Sequence, residues 1–203
     1  MKKLLVALAC ALCIGSYAAA QTVGEAMAPF DKSGNKNAFT LQVTANKKYV
    51  QEALDNKFKE SKLKGKTEKS VTKYAAVEYP AICAKKCDIY TKVDGSDNVA
   101  TIYLFVSKGY DEFVTSSTDP ETANSAKQFL SDLVTDINKV TLKYQIEEQT
   151  KIVGKAESSK KSAEDALKKA EDQVKSAKEK LNAADATLKK EKAALDALKA
   201  KSY

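Results

Sequence analysis

The sequence predicts an α+β fold: a small antiparallel sheet of three to four strands packed on helices, followed by a long C-terminal coiled-coil helix. Three observations carry this prediction. Apolar and polar residues alternate in several segments between residues 39 and 106, as in half-buried strands. A helix start signal stands at Asp119-Pro120-Glu121. From Ala163 to Leu198, apolar residues recur every seven positions, which is the period of a coiled coil.

The α+β domain is predicted to span residues 38–153, including the start of the long helix, and to follow a flexible leader over residues 21–37. The leader lacks periodicity and contains turn-forming residues: Gly24, Pro29, Ser33, Gly34 and Asn35. A first strand is predicted where Phe39, Leu41 and Val43 alternate with polar residues.

A helix and a second strand are expected next. Thr44 or Asn46 can cap the helix, its apolar stripe is Val50, Leu54 and Phe58, and Gly65 is a plausible stop. The second strand alternates over residues 71–79 and must end near Pro80, which lacks a backbone donor.

A hairpin is predicted around Asp94-Gly95-Ser96-Asp97-Asn98. Its two strands cover residues 87–93 and 99–106. The segment 102–106 is the most apolar run after the first 20 residues, so this strand is expected to lie centrally in the sheet. Phe113 and Val114 are expected to add a short edge segment.

The long helix is predicted to begin at Pro120, with Asp119 as its cap. Its first turns carry a wide apolar face that predicts docking onto the sheet: Phe129, Leu130, Leu133, Val134, Ile137, Val140 and Tyr144. Gly154 and three nearby serines lower the helix propensity. Both a continuous helix and a kink or hairpin near Gly154 are therefore compatible with the sequence.

Residues 154–203 form the predicted coiled-coil tail. One row of its seam is Leu167, Val174, Leu181, Leu188 and Leu195, and the second row is Ala163, Ala170, Ala177 and Ala184. Two such rows form a stripe too narrow for a globular core, which predicts self-association or contact with a protein partner. Because alanine buries little area, the seam suits a multi-chain or antiparallel pairing. A solitary solvated helix is the alternative.

Residues 1–20 match a secretory signal peptide. Lys2 and Lys3 precede an apolar run over residues 4–14, and Ala18-Ala19-Ala20 forms an A-x-A cleavage site before Gln21. The expected location is the periplasm or outer envelope of a bacterium, with no transmembrane segment after cleavage. A degenerate lipobox ending at Cys10 is the alternative, although it would leave only a short apolar run.

Cys83 and Cys87 are the two cysteines that remain after cleavage. In an oxidising compartment such a pair predicts a disulfide. Four extended residue steps would separate the two Cα atoms by about 13 Å, so a bond requires the chain to turn between them. Lys85 and Lys86 would favour thiolate, which keeps a thiol redox site as an alternative.

Composition excludes several classes of function. All 34 basic residues are lysine, and the chain contains no Arg, His or Trp. Without His there is no Ser-His-Asp or Cys-His site and no imidazole ligand for zinc. Without Arg there is no planar guanidinium group to make paired hydrogen bonds to the edge of a guanine base. We therefore expect no catalytic residues, metal or cofactor, and no specific binding of nucleic acid.

Six lysines lie close together between residues 57 and 69: Lys57, Lys59, Lys62, Lys64, Lys66 and Lys69. One interpretation is a contact patch for an anionic envelope polymer or an acidic protein. The other is a solvated helix end and loop, because no aromatic residues interleave with these lysines to provide stacking.

The layout of a secreted, lysine-rich chain with a small β-containing body and long amphipathic helices resembles the periplasmic Skp-like chaperones. In that family the helical arm lies between strands of the body, whereas here it follows Pro120. The layout also resembles uncharacterised secreted bacterial envelope proteins with a C-terminal helical tail. The first resemblance implies a holdase activity, and the second implies none. The residues themselves favour a non-catalytic envelope protein that binds or scaffolds through its α+β domain.

Overall fold

The computed structural model describes residues 22–31, 34–110 and 112–200. The predicted signal peptide lies outside the described residues. Among them the elements follow in the order β1 (Val23–Asp31), β2 (Gly34–Val43), α1 (Lys47–Glu60), β3 (Lys66–Glu68), β4 (Val71–Tyr79), β5 (Cys83–Gly95), β6 (Ala100–Ser107) and α2 (Pro120–Lys199). The fold class is α+β, as predicted.

The strands form one antiparallel sheet in the order β1-β2-β6-β5-β4-β3. It has six strands, so the expected count of three to four is wrong. β6 lies inside the sheet between β2 and β5, and its central position was predicted from its apolar run. Phe113 adds only an isolated bridge to Ser107.

The expectation of a flexible leader over residues 21–37 is wrong for its described part. Residues 23–31 form β1, which pairs with β2 from Val23–Leu41 to Asp31–Gly34. Pro29 stands beside the register shift between Pro29 and Asp31, where a missing backbone donor is tolerated. β1 forms because it adds to an existing strand, and periodicity within the segment cannot reveal that.

The main core lies between one face of the sheet and the two helices. Asn46 caps α1, since its side chain accepts a hydrogen bond from the Lys48 backbone N–H, and the helix ends at Glu60, before Gly65. Val50, Leu54 and Phe58 are buried in this core as predicted. α2 contributes Ala123, Ala126, Phe129, Leu130, Leu133 and Ile137.

The opposite face of the sheet carries a second, aromatic cluster. Phe30 of β1 makes edge contacts with Tyr90, Phe105 and Phe113, with ring centroids 4.9, 5.0 and 5.2 Å away. Phe105 is fully buried there. This cluster fastens the end of β1 to the sheet, since edge-to-face contacts are favourable beyond the area they bury.

The chain divides into two units between Tyr144 and Gln145. α2 is continuous helix through Gly154, so among the described residues the chain forms no hairpin there. Every residue of the second unit from 145 to 200 is exposed.

Candidate functional site

The leucine row of the tail is exposed along one helix. Leu167, Val174, Leu181, Leu188 and Leu195 keep 51–61% of their surface in water. The alanines of the second row are also exposed, and Ala170 lines a shallow hollow of about 530 Å³ together with Leu167 and Val174. A monomeric soluble helix rarely presents such a continuous apolar row, which marks this stripe as the leading candidate for an interaction surface.

The stripe is longer than the sequence prediction stated. Ile146 and Val153 continue the leucine row toward the N-terminus, and Leu198 continues the alanine row toward the C-terminus. All three are at least 46% exposed. Counting in sevens would have found Ile146 and Val153, but Lys160 interrupts the leucine row between Val153 and Leu167, and Gln149 interrupts the alanine row.

Cys83 and Cys87 are disulfide-bonded, with their Cα atoms 6.7 Å apart. Both lie in β5, so the turn expected between the two cysteines is a bulge within one strand. Tyr79 pairs with Cys83 and Val77 with Cys87. Three residues of β5 therefore stand opposite the single residue Glu78, and the excess chain brings the two cysteines together.

A cleft of about 480 Å³ lies beside this bulge, lined by the disulfide, Lys85, Lys86 and the first turn of α2. Asp119 caps α2 by accepting from the Thr122 backbone N–H, and it pairs with Lys108 at 2.6 Å. The hydrogen bond from Lys108, followed by that from Thr122, lowers the pKa of Asp119 to about 2.

Thiol chemistry at the cleft is disfavoured by burial. Cys83 and Cys87 are only 6% and 4% exposed. Exchange requires a thiolate to reach a sulfur atom, so a buried bond in the sheet reacts poorly.

The six lysines of the predicted anionic patch do not share one environment. Lys57 donates to Asp136 of α2 at 2.8 Å, and this bond raises the pKa of Lys57 against the opposing effect of burial. Lys66 pairs with Glu68. The other four are exposed and have no ion pair among the described residues: Lys59, Lys62, Lys64 and Lys69. The patch thus keeps four unpaired cations.

A polar cluster that the sequence did not reveal joins β1, β2 and α2. The carboxylate of Glu25 accepts from the backbone N–H of Ser116 at 2.9 Å, from the Ser116 hydroxyl and from Asn37 at 3.1 Å. Lys127 Nζ lies 3.3 Å from Glu25 and 2.7 Å from Ser116 Oγ. Burial raises the pKa of Glu25, but together the hydrogen bonds lower it by a larger amount, so the net shift is downward.

The Ser116–Lys127 contact has the residue types of a serine nucleophile and a lysine base. A lysine base would have to accept the hydrogen bond of the serine hydroxyl. Here the Ser116 hydroxyl donates to Glu25 instead, and Lys127 donates to Ser116 Oγ. These contacts therefore hold β1 against the start of α2.

No group of three or more His, Cys, Asp and Glu residues suited to a metal occurs among residues 22–31, 34–110 and 112–200. In the same part of the chain, no helix has the length and apolar character needed to cross a membrane. Comparisons with protein families, with curated proteins and with solved structures find no match.

Proposed function

We propose that this protein is a non-catalytic, secreted envelope protein whose tail self-associates through its apolar stripe, while the α+β domain serves as a binding or scaffolding body. The single observation that carries the proposal is the exposed row Leu167, Val174, Leu181, Leu188 and Leu195. This row spans four heptads, which meets the three to four that identify a coiled coil. A second helix on this stripe would remove those side chains from water.

The chemistry of the α+β domain supports a non-catalytic role. Its two cysteines are bonded and buried. The Ser116 hydroxyl donates to Glu25 and accepts from Lys127, so the lysine is not placed to take the serine proton. The secreted location rests on the signal peptide pattern of residues 1–20.

The test of self-association is the solution mass of the chain from Gln21 onward, measured by sedimentation equilibrium. Changing both Leu167 and Leu181 to lysine places charges in the stripe, where unpaired burial is strongly unfavourable. We expect the mass to fall to that of a monomer and helicity beyond Gly154 to fall with it.

A matched control carries two lysines on the opposite side of the same helix, at Ala186 and Ala193. These positions lie away from the stripe, so this variant should keep the mass of the unmodified chain. A monomeric unmodified chain, or an equal loss of mass in both variants, would refute self-association through the stripe.

A further inference from the structure

The charges that flank the stripe are unevenly distributed along the tail. In coiled-coil notation the leucine row occupies position a and the alanine row position d, and the residue after each d is position e. The e positions are acidic in the first half of the tail, at Glu157, Glu164 and Glu171. They are mainly basic in the second half, at Lys178, Asp185 and Lys192, and all six residues are exposed.

From this distribution we infer that the partner of the tail is a second copy of this chain, bound antiparallel. The inference rests on the proposed self-association and adds the partner, the orientation and the register. In an antiparallel pair the e positions of the two helices face each other, whereas in a parallel pair e faces the g position that precedes a. An antiparallel pair therefore brings the acidic half of one e row against the basic half of the other.

In a parallel pair, most of these e-position charges have no charged residue opposite them. The g positions along the main row are mostly uncharged: Ala166, Gln173, Thr187 and Ala194. Lys180 is the exception, and it would meet Asp185 of the second copy. A parallel, in-register pair would also place the two Glu191 side chains against each other in the seam, where like charges repel.

One antiparallel register pairs the charged e positions of the two helices with opposite charges and brings no like charges together. It places Glu171 opposite Lys192 of the second copy, and Lys178 opposite Asp185. Sliding the helices by one heptad in one direction places Glu171 opposite Asp185 and Lys178 opposite Lys178. Sliding them in the other direction places Lys178 opposite Lys192 and Asp185 opposite Asp185. The charge pattern therefore selects a single register of the three.

The same register fits the seam by size. Each inner leucine faces an alanine of the second copy, and the two ends close with leucine on leucine: Leu181–Ala184, Leu188–Ala177, Leu195–Ala170 and Leu167–Leu198. Large residues opposite small ones fill the layers evenly. Val174 faces Glu191 twice in the pair, so two layers each place one carboxylate beside an apolar side chain.

Charge reversal in the intact chain tests the register. Glu171→Lys and Lys192→Glu each turn two attractive contacts of the dimer into repulsive ones. Because each such pair is individually weak, each change should weaken the dimer roughly tenfold. The double variant restores opposite charges and should return the dissociation constant to that of the unmodified chain. Glu179→Lys and Lys189→Glu, which lie outside the e and g rows, are the matched controls and should leave it unchanged.

Spin labels measure the orientation directly. A single cysteine is introduced at Ala186 or at Ala193, with the Cys83–Cys87 bond kept oxidised. In the inferred register, the two Ala186 positions lie about 10 Å apart along the helix axis and the two Ala193 positions about 32 Å apart. A parallel pair gives equal distances at both sites.

The outcomes separate the two proposals. Rescue by the double charge variant together with a longer distance at Ala193 supports the antiparallel register. A dimer with equal label distances, or without rescue, overturns the register while self-association stands. A stable trimer or tetramer overturns the two-helix arrangement in the same way. A monomeric unmodified chain overturns both.

Discussion

Reduction of the Cys83–Cys87 bond should destabilise the α+β domain by about 2 kcal/mol. The bond closes a loop of only five residues, so the chain-entropy relation gives a small value. The perturbation is chemical, because the same chain is compared with and without reductant, and no side-chain volume is lost. β4 and β5 stay paired beyond the bulge, from Val77–Cys87 to Val71–Lys92, so the sheet should survive the loss of the bond.

The assay is urea unfolding followed by tyrosine fluorescence, since the chain contains no tryptophan. With a urea dependence near 2 kcal/mol per molar, the midpoint should fall by about 1 M. Changing both cysteines to serine should cost more, because two buried hydroxyls then need partners. A shift below about 0.3 M, or unfolding of the whole domain on reduction, would refute the view that the bond fixes a local bulge.

Three further predictions follow from the α+β domain and the N-terminus. Because its paired state lowers the pKa of Asp119 from 3.8 to about 2, this carboxylate stabilises the fold above pH 4, and that contribution should be lost as the pH falls toward 2. In the Asp119→Asn variant, the melting temperature should therefore fall less between pH 5 and pH 2 than in the unmodified chain. Phe30→Ala should cost about 2 kcal/mol, less than a fully buried Phe, and expose β1 to limited proteolysis while β5 stays protected. N-terminal sequencing of the exported protein should find Gln21; Met1, or a lipid on Cys10, would contradict cleavage after Ala20.

Patterns inside single segments predicted most of the elements. Alternation located β2, β4, β5 and β6, and local capping chemistry located the starts of α1 and α2. Asn46 and Asp119 both cap as expected, because a cap bonds to a backbone N–H two or three residues away. Such signals are local, so one sequence is enough to read them.

β1 and β3 were not predicted because each forms by pairing with an adjacent strand. β3 is three exposed residues that pair with β4 across a short turn, and no alternation marks it. β1 contains Gly24 and Pro29, which argue against a strand in isolation. Its pairing with β2 and the contacts of Phe30 with residues as distant as Phe113 override that propensity.

The candidate sites divide in the same way. The seven-residue stripe of the tail, the spacing of the two cysteines and the absence of histidine and arginine can be read directly, because they are properties of order and composition. Folding is needed to show that Lys57 is paired with Asp136 while Lys59 is exposed, that Glu25 contacts Lys127, and that the cysteines meet across a bulge. Periodicity describes one face of one element, whereas charge pairing and strand pairing join residues many positions apart whose proximity exists only in the folded chain.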